Sequence, residues 1–449
     1  MIKDAMIYFV SKFIPALLSF IILALYLKFM KPEDYGIFSV IIVTVGLVGI
    51  MSSQWIRSSM TRFYYDYKNS INTIFTLQLL MMMLLTILSL IAYFIFDVDG
   101  YTYLIALVML YALLINELLN NYYRTLIQPI KVLYGTIIKN IIYLLALMTV
   151  IFTKLELSYE IGLLAYTLGL IISNAFYFIG FKFKKYNLHI DLKLLKTFIS
   201  YGGPLTISFA LGVLLQNIDK YMITGVLGTK HNGNYSIVYD FVHNYLYMIM
   251  GSLGMASLPR ILKDNADRLE SFEKYTLILK HLTIPIVILL LVLSKELAII
   301  INVFNYHTTY LILIFIIIGT YFHGANSFIY GQAFQLMEST KNILFASFVA
   351  IVINTAINLM FLEEFGVIIS AISTLIAFYI SNLLLKYRLR KSMNFTFVSK
   401  VSGIYALYLI LIPLIFYVNE ILWLSIVIKI TAIMIVSFIV AVFLKKRGM

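Results

Sequence analysis

LTIPIVILLLVL (Leu282–Leu293) and TAIMIVSFIVAVFL (Thr431–Leu444) decide the fold class. Neither run holds a charged residue. A surface helix of a soluble protein would interrupt such a run with polar residues at helical spacing, and a membrane β-strand would alternate over about ten residues. A helix crossing the hydrocarbon core needs about 20 mostly apolar residues. Segments of this kind recur from Ile7 to Leu444, separated by short polar connections. The expected fold is all-α and polytopic, with the bilayer as its solvent.

Composition agrees. Of 449 residues, 62% are hydrophobic and 12% charged, against roughly 25% charged in a soluble domain; mean hydropathy is +0.95. Apolar windows predict fourteen spans, near 7–30, 36–58, 72–96, 102–127, 132–153, 160–181, 198–227, 234–258, 277–301, 309–336, 342–362, 365–386, 400–418 and 421–443. The first stretch lacks the short apolar core and small-residue cleavage site of a signal peptide, so it is expected to persist as a span.

The formal charge of +13 would suggest nucleic acid in a soluble protein. Here the basic residues gather in alternate connections: Arg57 and Arg62, Arg124 and Lys131, the Lys182/Lys184/Lys185/Lys193/Lys196 cluster, Arg260 to Lys280, the Lys386/Arg388/Arg390/Lys391/Lys400 cluster and Lys445/Lys446/Arg447. The other side is assigned Lys28, Lys31, Lys154, Lys220, Lys230 and Lys295, with the acidic pairs Asp97/Asp99 and Glu363/Glu364. That asymmetry predicts a multi-pass protein of a prokaryotic cytoplasmic membrane with both termini cytoplasmic. Anionic lipid headgroups suffice as partners for the basic loops, and no nucleic acid is needed.

Ser11-x-x-x-Pro15 in the first span matches Ser200-x-x-x-Pro204 in the seventh, and Gly36-Ile37-Phe38-Ser39 opening the second matches Gly233-Asn234-Tyr235-Ser236 opening the eighth. Six spans separate the copies, so both begin on the same side as parallel repeats, a known transporter plan. The expected division is 1–196, 197–391 and an added helix pair at 392–449. The longest connections, near 182–197 and 259–276, are read as amphipathic surface helices.

Polar residues inside spans are costly and face the bundle interior or a water-filled cavity. The eighth span carries Ser236, Asp240, His243, Asn244, Tyr247 and Gly251 along one face; the fourth carries Glu117, Asn121, Arg124 and Gln128; the tenth carries His323, Asn326, Ser327 and Tyr330. Polar glue between packed helices is the competing account. Arg57 and Arg62 end the second span, where guanidinium forks suit phosphate and equally suit topological anchoring. Tyr201-Gly202-Gly203-Pro204 reads as a helix start with proline near its first residue, or as a hinge. Chemistry-bearing motifs are sparse: no cysteine, no phosphate-cradling glycine loop, no HExxH or GxSxG. The Asp97-Val98-Asp99 pair is the lone echo of a metal-dependent glycosyltransferase. No metal or cofactor is expected, nor transport powered by ATP on this chain.

Ser11-x-x-x-Pro15, the loop Lys31-Pro32-Glu33-Asp34-Tyr35-Gly36-Ile37-Phe38-Ser39, the Arg57/Arg62 end and Ile218-Asp219-Lys220-Tyr221-Met222-Ile223 followed by Gly233-Asn234-Tyr235-Ser236 resemble polysaccharide biosynthesis proteins of the Wzx type. These belong to the multidrug/oligosaccharidyl-lipid/polysaccharide (MOP) exporter superfamily. The resemblance implies a two-lobed helical bundle around a central cavity and, as cargo, a polyprenyl-diphosphate-linked oligosaccharide flipped to the outer leaflet. It makes polysaccharide polymerase machinery a candidate partner, and the last two spans resemble the extra pair of lipid II flippases. Asp240 falls where those flippases carry a cavity arginine, and an acid does not bind diphosphate. In this reading Arg57, Arg62 and Arg124 attract the diphosphate, and Asp240, His243, Asn244, Asn121 and His323 contact sugar or a coupling cation. Glu117 and Asp240 are the coupling acids of the alternative, a cation-coupled multidrug exporter. A membrane glycosyltransferase or polymerase is the third reading, disfavoured by the short loops.

Overall fold

The computed structural model describes residues 2–67, 70–96, 99–179, 181, 188–263, 268–337, 341–392, 402–419 and 421–446. In chain order the helices are α1 (Ile2–Phe29), α2 (Pro32–Phe63), α3 (Ser70–Phe96), α4 (Gly100–Thr125), α5 (Pro129–Phe152), α6 (Tyr159–Phe178), α7 (Leu192–Leu227), α8 (Thr229–Lys263), α9 (Arg268–Val292) and α10 (Ser294–Val303). They continue with α11 (Tyr310–Ala325), a π-helix (Asn326–Gly331), α12 (Gln332–Leu336), α13 (Lys341–Phe365), α14 (Ile368–Ser392), α15 (Ser402–Tyr405), a 3-10 helix (Ala406–Ile415) and α16 (Leu422–Lys446). When α9–α10, α11–α12 and α15 with its 3-10 extension are each taken as one, the order accords with fourteen spans. Eleven segments among the described residues are individually long and apolar enough to cross a membrane. The polar face of α8 keeps it out of that set.

Local chemistry sets the helix ends. α2 and α5 begin on Pro32 and Pro129, whose missing N–H is no loss in a first turn. Asp99 caps α4 by accepting from the Thr102 N–H at 2.9 Å, and that bond holds its carboxyl below the usual carboxylate range. Its companions Asp97 and Val98 lie outside the described residues. Gly228, at φ +93°, is the single residue joining α7 to α8, a left-handed position that glycine adopts without steric cost.

The seventh span begins earlier than the Gly-Gly-Pro sequence suggests. α7 starts at Leu192, and Pro204 lies inside it. Gly202 is a contact point: a Cβ there would meet the Trp55 carbonyl oxygen of α2 at 2.4 Å. Of the two basic connections read as surface helices, 182–187 and 264–267 lie outside the described residues, while Leu192 and Arg268 already open α7 and α9.

Two compact units, Met1–Asn217 and Ile218–Met449, divide the chain within α7. Inside the first, α4 packs on α2 and α6, and α5 packs on α6; inside the second, α11 packs on α8 and α14, and α13 packs on α14. The same polar clamp recurs in both. Asn116 of α4 donates to Ser173 Oγ and Asn174 Oδ1, each at 2.9 Å, and Asn174 returns a bond to the Ala112 carbonyl at 2.8 Å. Asn326 donates to Ser381 Oγ at 2.8 Å and Asn382 Oδ1 at 3.0 Å, and Asn382 returns one to the Phe322 carbonyl at 2.8 Å. Beyond Asn116 the helix stays regular to Thr125, whereas beyond Asn326 it opens into the π-helix. That turn sets Phe328 against α8, where a Cβ on Gly251 or Gly254 would stand 2.9 or 2.8 Å from its ring.

The C-terminal helices pack on α9 through Val292, Ile404, Tyr408, Leu411 and Ile433. Within this apolar setting Lys429 of α16 pairs with Glu296 of α10 at 2.5 Å, both side chains essentially inaccessible. Ser425 donates to the same carboxylate oxygen at 2.5 Å, and Lys429 also donates to the Val292 carbonyl at 2.9 Å. Removing one member of such a pair strands a buried charge, whereas removing both leaves apolar packing. Lys429→Met should therefore destabilise the protein by about 3–5 kcal/mol, and Lys429→Met with Glu296→Leu should regain most of that loss, as read from thermal unfolding in detergent.

Candidate functional site

The expected residues fall into one polar cluster in each unit. In the first, Arg57 of α2 is buried and its guanidinium is divided between two acceptors. It forms an ion pair with Glu117 of α4 and donates to Gln54 Oε1 at 2.6 Å. Asn121, one turn after Glu117, donates to the Arg57 carbonyl at 2.8 Å and bonds Thr61. Glu117 is 43% exposed against 7% for Arg57, so the carboxylate is the partner that can leave. Arg62 and Arg124 are exposed at the same helix ends. Arg62 pairs with Asp66 at 3.0 Å and Arg124 donates to Asn120 at 3.2 Å. Glu117 thus reaches across to Arg57 rather than along its own helix to Arg124.

In the second unit, Asp240 of α8 accepts from Lys220 of α7 at 2.9 and 3.1 Å. Lys220, assigned above to an outer connection, is a buried side chain, 3% exposed, inside α7. His243, one turn on, bonds His323 of α11 at 3.0 Å. Asn244 is exposed on the same helix, and Gly251 serves packing against Phe328.

Asp219, beside Lys220, was not singled out from sequence as a site. It is 1% exposed and is ringed by neutral donors: Tyr235 at 3.0 Å, Asn358 at 3.1 Å and Thr374. Asn354, Ser370 and Ser373 extend the network through Asn358. Glu296 and Asp219 are the buried carboxylates among the described residues; Glu296 has Lys429, and Asp219 has amides and hydroxyls. None of these neighbours neutralises its charge, and the Tyr235 and Thr374 hydroxyl oxygens beside the carboxylate are of the kind a hard cation takes. Among the described residues no group of three or more His, Cys, Asp or Glu could hold a metal ion. The available signal for Asp219 was its place inside a span beside a lysine, in the very segment that carries the family resemblance.

A family model described as "Polysaccharide biosynthesis protein" matches residues 1–264. The chain belongs to this family. No curated protein sequence matches it. Among solved structures, the lipid II flippase MurJ in an inward closed conformation is 16% identical, with a TM-score of 0.76 over 98% of this chain and 99% of that one. An inward-facing multidrug resistance MATE family transporter of the MOP superfamily is 13% identical, with a TM-score of 0.61 over 86% and 98%. A MOP superfamily transporter from Pyrococcus furiosus is 13% identical, with a TM-score of 0.54 over 87% and 93%. At these identities the likeness is one of fold: this member of the polysaccharide biosynthesis family is a multi-pass helical membrane protein that shares the architecture of MurJ and the MATE transporters.

The Asp219 network has a direct test. Asp219→Asn keeps an acceptor for Tyr235 and Thr374 and should melt close to wild type. Asp219→Leu strands the Tyr235 and Thr374 hydroxyls, each costing about 1–3 kcal/mol when unmade, and should melt lower in the same detergent.

Proposed function

We propose that this protein is a flippase that moves a polyprenyl-diphosphate-linked oligosaccharide across the cytoplasmic membrane by alternating access, for surface polysaccharide biosynthesis. Membership of the polysaccharide biosynthesis family carries the reading, and the full-length likeness in fold to a lipid II flippase supports it. In this reading the protein moves its cargo without making or breaking a bond. Its partners are the lipid-linked oligosaccharide, anionic lipids along the basic connections and the polymerase machinery that takes up the product.

Arg57 is the residue best built to hold the diphosphate. Its planar fork matches phosphate oxygens bidentately, and it is already charged, buried and oriented, with Asn121 fixing its backbone. Glu117 fills the phosphate's place in the unloaded state. An arriving diphosphate displaces this half-exposed carboxylate, so specific binding costs no new side-chain ordering. Arg62 and Arg124, more exposed, raise the local concentration of the anion. We assign Asp240, His243, Asn244 and His323 to the polar path for the sugars, and the coupling cation to Asp219, whose neutral ligands leave its charge available. Glu117 and Asp240, the other acids expected to couple, face Arg57 and Lys220 and change partner during the cycle.

Arg57→Ala should abolish surface polysaccharide and leave lipid-linked precursor on the cytoplasmic leaflet, while Arg57→Lys, which keeps charge and loses the fork, should retain partial export. Normal export by the alanine variant would reduce Arg57 to an anchor. Orientation is tested separately. With single cysteines at Leu155 and Leu188 of this cysteine-free chain, an impermeant thiol reagent added to intact cells should label position 155 and spare 188. The reverse pattern would invert the topology.

A further inference from the structure

The second unit contains a stack of five rings, two of them the histidines assigned above to the path for the sugars. On α8, Tyr239, His243 and Tyr247 follow one another a turn apart, with His243 5.0 Å from Tyr239 and 4.9 Å from Tyr247 between ring centroids. On α11, His323 lies 4.4 Å from Tyr247 and 4.3 Å from Phe378 of α14. All four pairs are within 20° of parallel. Across the stack, His243 Nε2 meets His323 Nδ1 at 3.0 Å, and both histidines are buried.

We infer that the His243–His323 pair is a proton-binding site that takes up one proton and keeps its mutual hydrogen bond in doing so. In a neutral pair each imidazole has one N–H. Whichever ring donates across the 3.0 Å bond has used its proton on the inner nitrogen, so its outer nitrogen carries none. The accepting ring has the opposite arrangement. In either tautomer the nitrogen that carries no proton is therefore the outer one of the donor ring: His243 Nδ1, on the side of Asn244, in one case, His323 Nε2 in the other. A proton from bulk water added there takes the pair from zero to +1 and makes the donor an imidazolium, a stronger donor to the same acceptor. A second proton would have to occupy the inner acceptor nitrogen and break the bond. The capacity is one.

Aromatic faces meet that charge in both tautomers. His243 lies between the faces of Tyr239 and Tyr247, His323 between those of Tyr247 and Phe378, and a cation within about 6 Å of a ring centroid is attracted to its face. The charged groups nearby come from α8 and α7: Asp240, one turn before His243, and the Lys220 that holds it. They cancel one another, so a protonated pair becomes a second cation beside one carboxylate. α14 offers the uncharged Phe378, the π-helix offers Ser327 and Phe328 by way of Tyr247, and α9 offers Tyr275, which donates to the Phe328 carbonyl at 2.7 Å. Asn244, hydrogen-bonded to His243 and exposed, gives the buried pair a polar edge at the surface of its unit. Proton binding stands on this geometry; its use in driving translocation rests on the flippase reading.

The test is a titration of the full-length protein in lipid nanodiscs, with isotope-labelled histidine followed by NMR. The chain has six histidines, assigned through single His→Gln variants. His243 and His323 should change together in one transition amounting to one proton. In His323→Gln, where glutamine preserves a polar partner, the His243 midpoint should move by about one pH unit or more, the mark of a coupled pair. Two independent transitions, or no transition down to the acid limit at which the protein stays folded, would overturn the site; the wild-type titration alone decides if the variant does not fold. A second arm uses vesicles loaded with lipid-linked oligosaccharide under an imposed proton gradient. Stimulation by the gradient should be lost in His243→Gln/His323→Gln, and a retained response would overturn the coupling role. Vesicles in which wild type flips nothing under any gradient would refute the flippase reading and the coupling role with it, while the titration still judges the proton site.

Discussion

A polar group in hydrocarbon has no water to fall back on, so each one buried in a membrane helix must find its partner inside the protein. Every informative feature of this molecule follows from that constraint. The Asn116 and Asn326 clamps, the Glu296–Lys429 pair, the Asp219 network and the histidine pair each sit where two or more helices meet and each supplies contacts that apolar side chains, surrounded by equally apolar lipid, supply only weakly. The repeated clamp fixes how the fourth and sixth helices of the first unit approach, and how their counterparts approach in the second. Apolar contacts then fill in around a geometry that hydrogen bonds have chosen.

The same constraint separates structural from functional polar residues. The clamps are neutral, buried and mutually satisfied in a fixed arrangement. Arg57 and Glu117 are unequal, one sequestered and the other half exposed, and an unequal pair can exchange partners. Asp240 with Lys220 has a milder form of the same asymmetry, 20% against 4% exposed. Asp219 is sequestered among neutral groups, which lets its charge answer an ion. Function in such a bundle resides where satisfaction is conditional.

Much of this was legible in the sequence, because the bilayer imposes lengths and polarity patterns that a linear chain displays openly. The number of helical segments, the internal repeat and the polar faces of α4, α8 and α11 could all be read from spacing. What could not be read was partnership across helices. Glu117 shares its helix face with Arg124, whereas its partner Arg57 lies 60 positions earlier; His243 follows Asp240 by one turn, whereas it bonds His323, 80 positions later. Lys220 looked like a loop cation because charge is the usual sign of a span's end, and burial opposite a carboxylate leaves no local trace. Gly-Gly-Pro at 202–204 read as a beginning, since nothing in the string reveals that Trp55 presses on Gly202. Periodicity reports which face a residue occupies and is silent about what faces it.

The π-helix after Asn326 makes two units that share the same clamp unequal at small expense. One extra residue absorbed in a helix turns everything beyond it by about 100° relative to an uninterrupted copy. Past the shared asparagine, the first copy presents Glu117, Asn121 and Arg124, an ionic surface, whereas the second presents Phe328 and Gln332 to the bare glycines of α8. Point substitutions would have to re-aim these side chains one position at a time, whereas a helix that widens locally re-aims a whole turn of them at once while the clamp above it stays in register.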